Sequence, residues 1–375
     1  MKILHTSDLH LGKKLSEESF HEDQKHILKE ITKIIKERKI KVVMIPGDIY
    51  DKSNPPVEAV QLFDDFITNL TKMNVEVMFT SGNHDSNERL GFGSKIFESF
   101  NIHIATSYDG QIKKIEIDDV NFYLLPFLKP FHLKKLMDEE EYGHIKNTND
   151  MMKWILSQET MDKNKKNILL AHQFVMSGDK LPKQCDSESI SLNSVGTLDA
   201  IDVDLLDEFD YVALGHLHRP QDVKRNTVRY SGTPLKYSFS EVKDDKSVVI
   251  IDTDNIEDFE LVELKPLRNM QVIRGKFEDI MKMEPCDDII KIELTDENTI
   301  ISPMDSIRQR FNNAIALVFT NIFINTHKNN DVEIKEDASP YELFKLFFEE
   351  QNDREMKIEE EKLIESIFKD LEGNE

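Results

Sequence analysis

Residues 75–86 read VEVMFTSGNHDS, an apolar run that ends abruptly in Gly82, Asn83, His84 and Asp85. Val75, Val77, Met78 and Phe79 suit a buried strand, and the polar cluster begins where that strand must stop. A turn accounts for Gly82 and Asn83, because both tolerate unusual backbone, and for an Asp that bonds neighbouring amides. It does not require His84.

Four more runs behave the same way: KILHTSD (2–8), VVMIPGD (42–48), NILLAHQ (167–173) and YVALGHLH (211–218). Their carboxyl ends carry Asp8-x-His10, Gly47-Asp48-x-x-Asp51, His172 and Gly215-His216-x-His218. Between the first two runs, Ile27, Ile31, Ile34 and Ile35 fall at steps of three and four, one face of a helix. Asn54-Pro55-Pro56 then reads as the start of a second helix, with Val57, Val60, Leu62, Phe63, Phe66, Ile67 and Leu70 as its buried stripe. Strand, helix, strand, helix, strand implies an α/β fold with a largely parallel central sheet. Ligands of such sheets gather at the carboxyl ends of the strands, so five separate segments are expected to converge on one place.

Shorter strands at 121–128, 227–230 and 246–252 close a first domain near residue 255. Beyond it, the strand-like MQVIRGKF, IIKIEL and ALVFTNIFI with a helix near 304–312 make a small α+β block. From Ser339 onward, SPYELFKLFFEEQ and EEEKLIESIFKDL read as two amphipathic helices. Their apolar stripe is Tyr341, Leu343, Phe344, Leu346 and Phe347, then Leu363, Ile364, Ile367 and Phe368, and it looks like a partner-binding surface.

With 375 residues the chain has room for two or three domains. Cys185 and Cys286 stand alone, which argues against disulfides or a thiolate metal site and fits a reducing cytoplasm. The N-terminus turns polar too early for a secretory leader, and no stretch nears the roughly 18 apolar residues of a membrane span. A net charge of -23 excludes whole-surface affinity for nucleic acid. From Lys328 on there are 16 acidic and 7 basic residues, so the imbalance is partly concentrated in the tail. DNA would need a local basic rim or cations; Lys13, Lys14, Lys52, Arg89, Arg219 and Lys236 are placed in sequence to form such a rim.

Asp, Asn and His without Cys is a donor set for divalent ions such as manganese or iron rather than structural zinc. Taken singly, D-x-H or GHLH is more often turn chemistry or a packed histidine, as His5 is expected to be. Five clusters, each after a strand, go beyond turn chemistry and exceed the needs of one ion. Two divalent ions roughly 3.5–4 Å apart repel by about 18 kcal/mol at an effective dielectric of about 20. A carboxylate between them is therefore needed, and Asp48 is the candidate.

The order D-x-H, GD-x-x-D, GNH-D, H, GH-x-H resembles the calcineurin-like metallophosphoesterases over residues 1 to about 250. The forms TSDLHLG, GDIYD, SGNHDS, AHQF, ALGHLHRPQ and YSGTPLKYSFSE resemble more narrowly the nuclease-subunit family of the bacterial SbcCD complex. That resemblance implies a sandwich of two sheets flanked by helices (1–255), a small α+β capping domain (266–335) and a C-terminal helical pair (339–372). It implies one metal on Asp8, His10, Asp48 and His218 and another on Asp48, Asn83, His172 and His216, with manganese as the expected ion. His84 then faces the scissile phosphate, Asp85 orients or charges His84, and Asp51 gives outer support. The implied activity is exonuclease and endonuclease hydrolysis of DNA ends and hairpins in repair, recombination and replication. The implied partners are DNA and an SbcC-type coiled-coil ATPase held by the helical pair, with a homodimer inside a heterotetramer associated with the nucleoid. The alternative is a stand-alone metallophosphodiesterase for small nucleotides, which has no use for the apolar tail.

Overall fold

The apolar runs form strands buried on both faces, as expected of sheets covered from both sides. One six-stranded sheet runs, edge to edge, Asn255–Glu263, Ser247–Asp252, Lys2–His5, Val42–Pro46, Glu76–Thr80 and Ile102–Ala105. Its last four strands are parallel and its first two antiparallel. A second runs Gln221–Val223, Arg225–Tyr230, Tyr211–Gly215, Lys166–His172, Val120–Leu125 and Lys113–Ile117, parallel in its middle four strands. The structure is a computed structural model, and it describes residues 1–178, 180–188, 200–298, 300–320 and 340–352, with 354–358, 360, 361, 364 and 368 beyond them.

Side-chain alternation explains why the two sheets stack. Phe122, Leu124, Ile168, Leu170, Tyr211 and Ala213 share one core with Ile3, Val42, Met44 and Met78 of the other sheet. Their neighbours Tyr123, Leu125, Leu169, Val212 and Leu214 face the opposite way, onto Met151, Met152 and Ile155 of the helix Thr148–Ser157. On the first sheet the helix Val57–Thr71 packs through Phe63 against Phe79, ring centroids 5.3 Å apart. His5 joins the sheets, with Nδ1 3.1 Å from the Tyr211 hydroxyl and Nε2 3.2 Å from the Leu214 carbonyl. It is a packed histidine, in keeping with its place inside a strand.

The parallel registers level the strand ends that matter. His5 pairs with Met44, Pro46 with Thr80, and His172 with Gly215. Loops leaving these five strands therefore start from one rim of the sandwich.

This first compact unit is Met1–Gln271. It continues past residue 255 because Asn255–Glu263 folds back on Ser247–Asp252 as an antiparallel hairpin. The second unit is Val272–Glu375. There the strands Ile289–Leu294 and Ala314–Phe319 pair in parallel, with the helix Pro303–Arg310 as the connection such pairing needs. Ile273, Ile280, Ile290, Ile292, Ile307 and Phe311 form the core. The first amphipathic tail segment is the helix Pro340–Asn352, with Leu343 and Phe347 exposed. Tyr341 and Phe344 meet the ring of Phe368 at 6.2 and 6.0 Å between centroids. Leu363, Ile367 and residues 321–339 lie outside the described residues. Among the described residues, no helix is long and apolar enough to cross a membrane.

Candidate metal centre

Four residues at the strand ends have left-handed backbone although none is glycine: Asp8 (φ 53°), His10 (φ 43°), Asp48 (φ 49°) and His216 (φ 103°). Such residues cost on the order of 1–3 kcal/mol each and persist only where surrounding contacts hold them. Here the loops hold one another. The amide of Asp8 donates to Gly47 O at 3.3 Å and that of His10 to Asp48 O at 3.0 Å. The Gln24 side chain donates to His10 O at 2.7 Å, and the Tyr237 hydroxyl to Leu9 O at 2.6 Å. Gly82 is glycine for a different reason than a turn. Its φ is not left-handed, but a Cβ there would stand 2.1 Å from Asp48 Oδ1.

These loops bring all the singled-out donors together. His10 Nε2 lies 3.0 Å from His218 Nε2 and 3.6 Å from Asp48 Oδ2. On the other side of that same oxygen, His172 Nε2 is 3.4 Å away. Asn83 Oδ1 is 3.0 Å from both His172 Nε2 and His216 Nδ1, which are 3.3 Å from each other. Asp8 sits deeper, where Oδ2 accepts from Ser7 Oγ at 2.5 Å and Oδ1 from the His216 amide at 3.0 Å. Asp8, His10 and His218 form one group able to hold a cation, and Asp8, Asp48 and His172 another.

The electrostatics are those of a site short of positive charge. Burial raises Asp8 to about 7. Burial also lowers His10 to about 4 and His216 to about 3, so both imidazoles are neutral donors near pH 7. Burial alone would lower His172, but Asp48 beside it lifts it to about 9. For Asp48 burial acts upward and His172, His10 and His84 outweigh it, holding the carboxyl well below its usual range. His10 Nδ1 is buried with no hydrogen-bond partner among the described residues. Oxygen and nitrogen donors crowded at 3.0–3.6 Å around a buried carboxylate fit divalent cations.

Three other expectations meet specific geometry. Asp85 accepts backbone N–H groups from Gly82, Ile49 and Tyr50 at 2.9–3.1 Å. That ties the Asn83 loop to the Asp48 loop, a different task from charging His84. Asp51 lends its carbonyl to His84 Nδ1 at 2.8 Å, and its carboxylate pairs with Lys13 at 2.8 Å, 3.7 Å from His10 Nδ1. In the basic rim, Arg219 is likewise committed, donating to Asp244 at 2.8 Å. Sequence reasoning missed Ser7, Gln24, Ser187, Glu241 and Lys246, which contact the donors or their loops; isolated Ser, Gln and Lys residues give no signal in one sequence.

Residues 1–220 match the calcineurin-like phosphoesterase family, and residues 266–352 match a type 5 capsule protein repressor C-terminal domain. SbcD, the nuclease subunit of SbcCD, from Staphylococcus saprophyticus is 33% identical over 98% of this chain and 98% of its own. Its Staphylococcus epidermidis counterpart is 34% identical over 100% of both. The chain belongs to the SbcD branch of the calcineurin-like phosphoesterases. Among solved structures, a dimetal phosphatase from Danio rerio covers 70% of this chain and 96% of its own, at 14% identity and a TM-score of 0.40. For a member of this branch, the donors on five strand ends are the natural place for a divalent metal site.

Proposed function

We propose that this chain is a metal-dependent DNA nuclease, the hydrolytic subunit of an SbcCD-type complex that trims DNA ends and hairpins. The observation that carries the reading is Asp48 Oδ2, flanked by His10 Nε2 at 3.6 Å and His172 Nε2 at 3.4 Å. Such a carboxylate serves two ions at once. Asp8, His10, Asp48 and His218 would hold one; Asp48, Asn83, His172 and His216 the other. Manganese is the expected metal on this donor set. When bound, two such ions supply Lewis acidity toward a phosphodiester oxygen and activate water near neutral pH.

The chain's own residues do the rest. His172 donates Nδ1–H to Pro46 O at 3.0 Å, which fixes the tautomer that offers Nε2 to the site. His84 is held by Asp51 O at Nδ1 and by Asp48 Oδ1 at its amide, with Nε2 4.0 Å from Asp48 Oδ2. There it stabilises charge on the phosphate or passes a proton to the leaving oxygen. The tail helix, with Leu343 and Phe347 exposed, suits a coiled-coil ATPase partner. A homodimer within a heterotetramer, working on the nucleoid in the cytoplasm, completes the proposal.

The test is a cleavage assay on linear, single-stranded and hairpin DNA beside a bis-phosphodiester dye. It is run with manganese or magnesium, with and without the ATPase. Hydrolysis of the dye but of no DNA in any combination would favour a small-nucleotide phosphodiesterase.

A further inference from the structure

One histidine at the centre is oriented by side chains rather than by a backbone carbonyl. His218 Nδ1 lies 2.7 Å from Ser187 Oγ, and that hydroxyl donates to Glu241 Oε1 at 2.6 Å. Glu241 is fully buried and pairs through Oε2 with Lys246 Nζ at 2.6 Å; Lys246 is 5% exposed. The remaining ammonium hydrogens go to His218 O at 2.9 Å and Thr233 Oγ1 at 2.8 Å. Glu188 adds a hold on the His218 amide at 2.8 Å. His218 is thus gripped at its amide, its carbonyl and its ring by one polar cluster.

A buried Glu–Lys pair adds little stability once both charges are desolvated, so its retention suggests a task other than stability. Proton counting supplies one. A carboxylate paired with an ammonium only accepts, so the Ser187 proton goes to Glu241. Toward His218 the hydroxyl oxygen can then only accept, so Nδ1 must carry a hydrogen and Nε2 a lone pair. Nε2 is the atom that faces His10 Nε2 at 3.0 Å, inside the donor cluster. We propose that Ser187, Glu241 and Lys246 form a positioning relay that fixes His218 in its metal-binding tautomer. Pro46 O does this for His172 through the backbone, whereas here side chains do it. The inference rests on the metal-centre reading above, and its readouts do not depend on DNA.

The test uses the full chain with Ser187→Ala and Ser187→Thr, titrated with manganese and followed by electron paramagnetic resonance. Loss of the hydroxyl should weaken binding of one of two ions about 10–100-fold, the usual cost of removing such an outer partner. Thr should restore it, and the metal-free melting temperatures should coincide. Independently, long-range proton–nitrogen correlation on metal-free wild type should show His218 protonated at Nδ1. Two ions bound to Ser187→Ala as tightly as to wild type, or an Nε2–H tautomer in wild type, would overturn the relay. A failure of the nuclease reading alone would appear in the DNA assay and leave both results unchanged.

Discussion

The backbone N–H of His84 donates to Asp48 Oδ1 at 2.9 Å. This bond divides the labour of one carboxylate: Oδ1 ties down the neighbouring loop, while Oδ2 lies between His10 and His172. It also separates two properties of His84. The amide belongs to the scaffold, and the imidazole can be removed without touching it.

His84→Ala should therefore retain both metals and lose turnover by about 10²–10⁴-fold, the range of general acid catalysis. Elemental analysis of the purified variant beside its kcat checks this. Near-normal hydrolysis would remove the ring from the mechanism.

Asp85→Ala should act on stability rather than on the chemical step. It takes the acceptor from the amides of Gly82, Ile49 and Tyr50, and each buried N–H left unpaired costs about 1–3 kcal/mol. Urea unfolding of the metal-free protein should show a lowered midpoint for Asp85→Ala and an unchanged one for His84→Ala. Equal midpoints for wild type and Asp85→Ala would return Asp85 to a role on His84.

His5 gives a pH dependence away from the donors. Burial, with Arg229 nearby, lowers it to about 3, so the unfolded chain binds this proton first as pH falls. Its contribution to stability is present above pH 6.5 and drains away between 6.5 and about 3. His5→Asn lacks the titration, so the wild-type advantage over it should shrink on acidification across that window. Denaturation midpoints taken at pH 7.5, 6 and 5 measure the gap, and a gap that widens with acid contradicts the assignment.

Truncation after Asp337 removes the helix Pro340–Asn352 with its exposed Leu343 and Phe347. Basal manganese-dependent cleavage should survive and association with the coiled-coil ATPase should be lost. Co-purification unchanged by truncation would mean that the apolar stripe packs within this chain.

The donors are legible in the sequence because each follows an apolar run: a one-letter pattern reports where a buried strand stops and polar side chains begin. The same logic locates the helix Val57–Thr71 from its Pro-Pro start and apolar stripe. Pairing into two stacked sheets is not legible from periodicity, since a strand buried on both faces reads alike in either sheet. Gly82 suggests a turn, but its real constraint is a 2.1 Å approach to Asp48, which depends on a loop 34 positions away. Asp85 stands beside His84 in the chain, yet its partners at Ile49 and Tyr50 come from the preceding strand's loop. The Ser187, Glu241 and Lys246 cluster lies beyond reach for the same reason, being assembled only by tertiary packing.

The most direct measurement is anomalous diffraction from crystals of the chain grown with manganese. The expected result is two peaks on either side of Asp48 Oδ2, one beside His10 and His218, the other beside Asn83, His172 and His216. A single peak, or two peaks of which Asp48 touches only one, would contradict the shared-carboxylate centre.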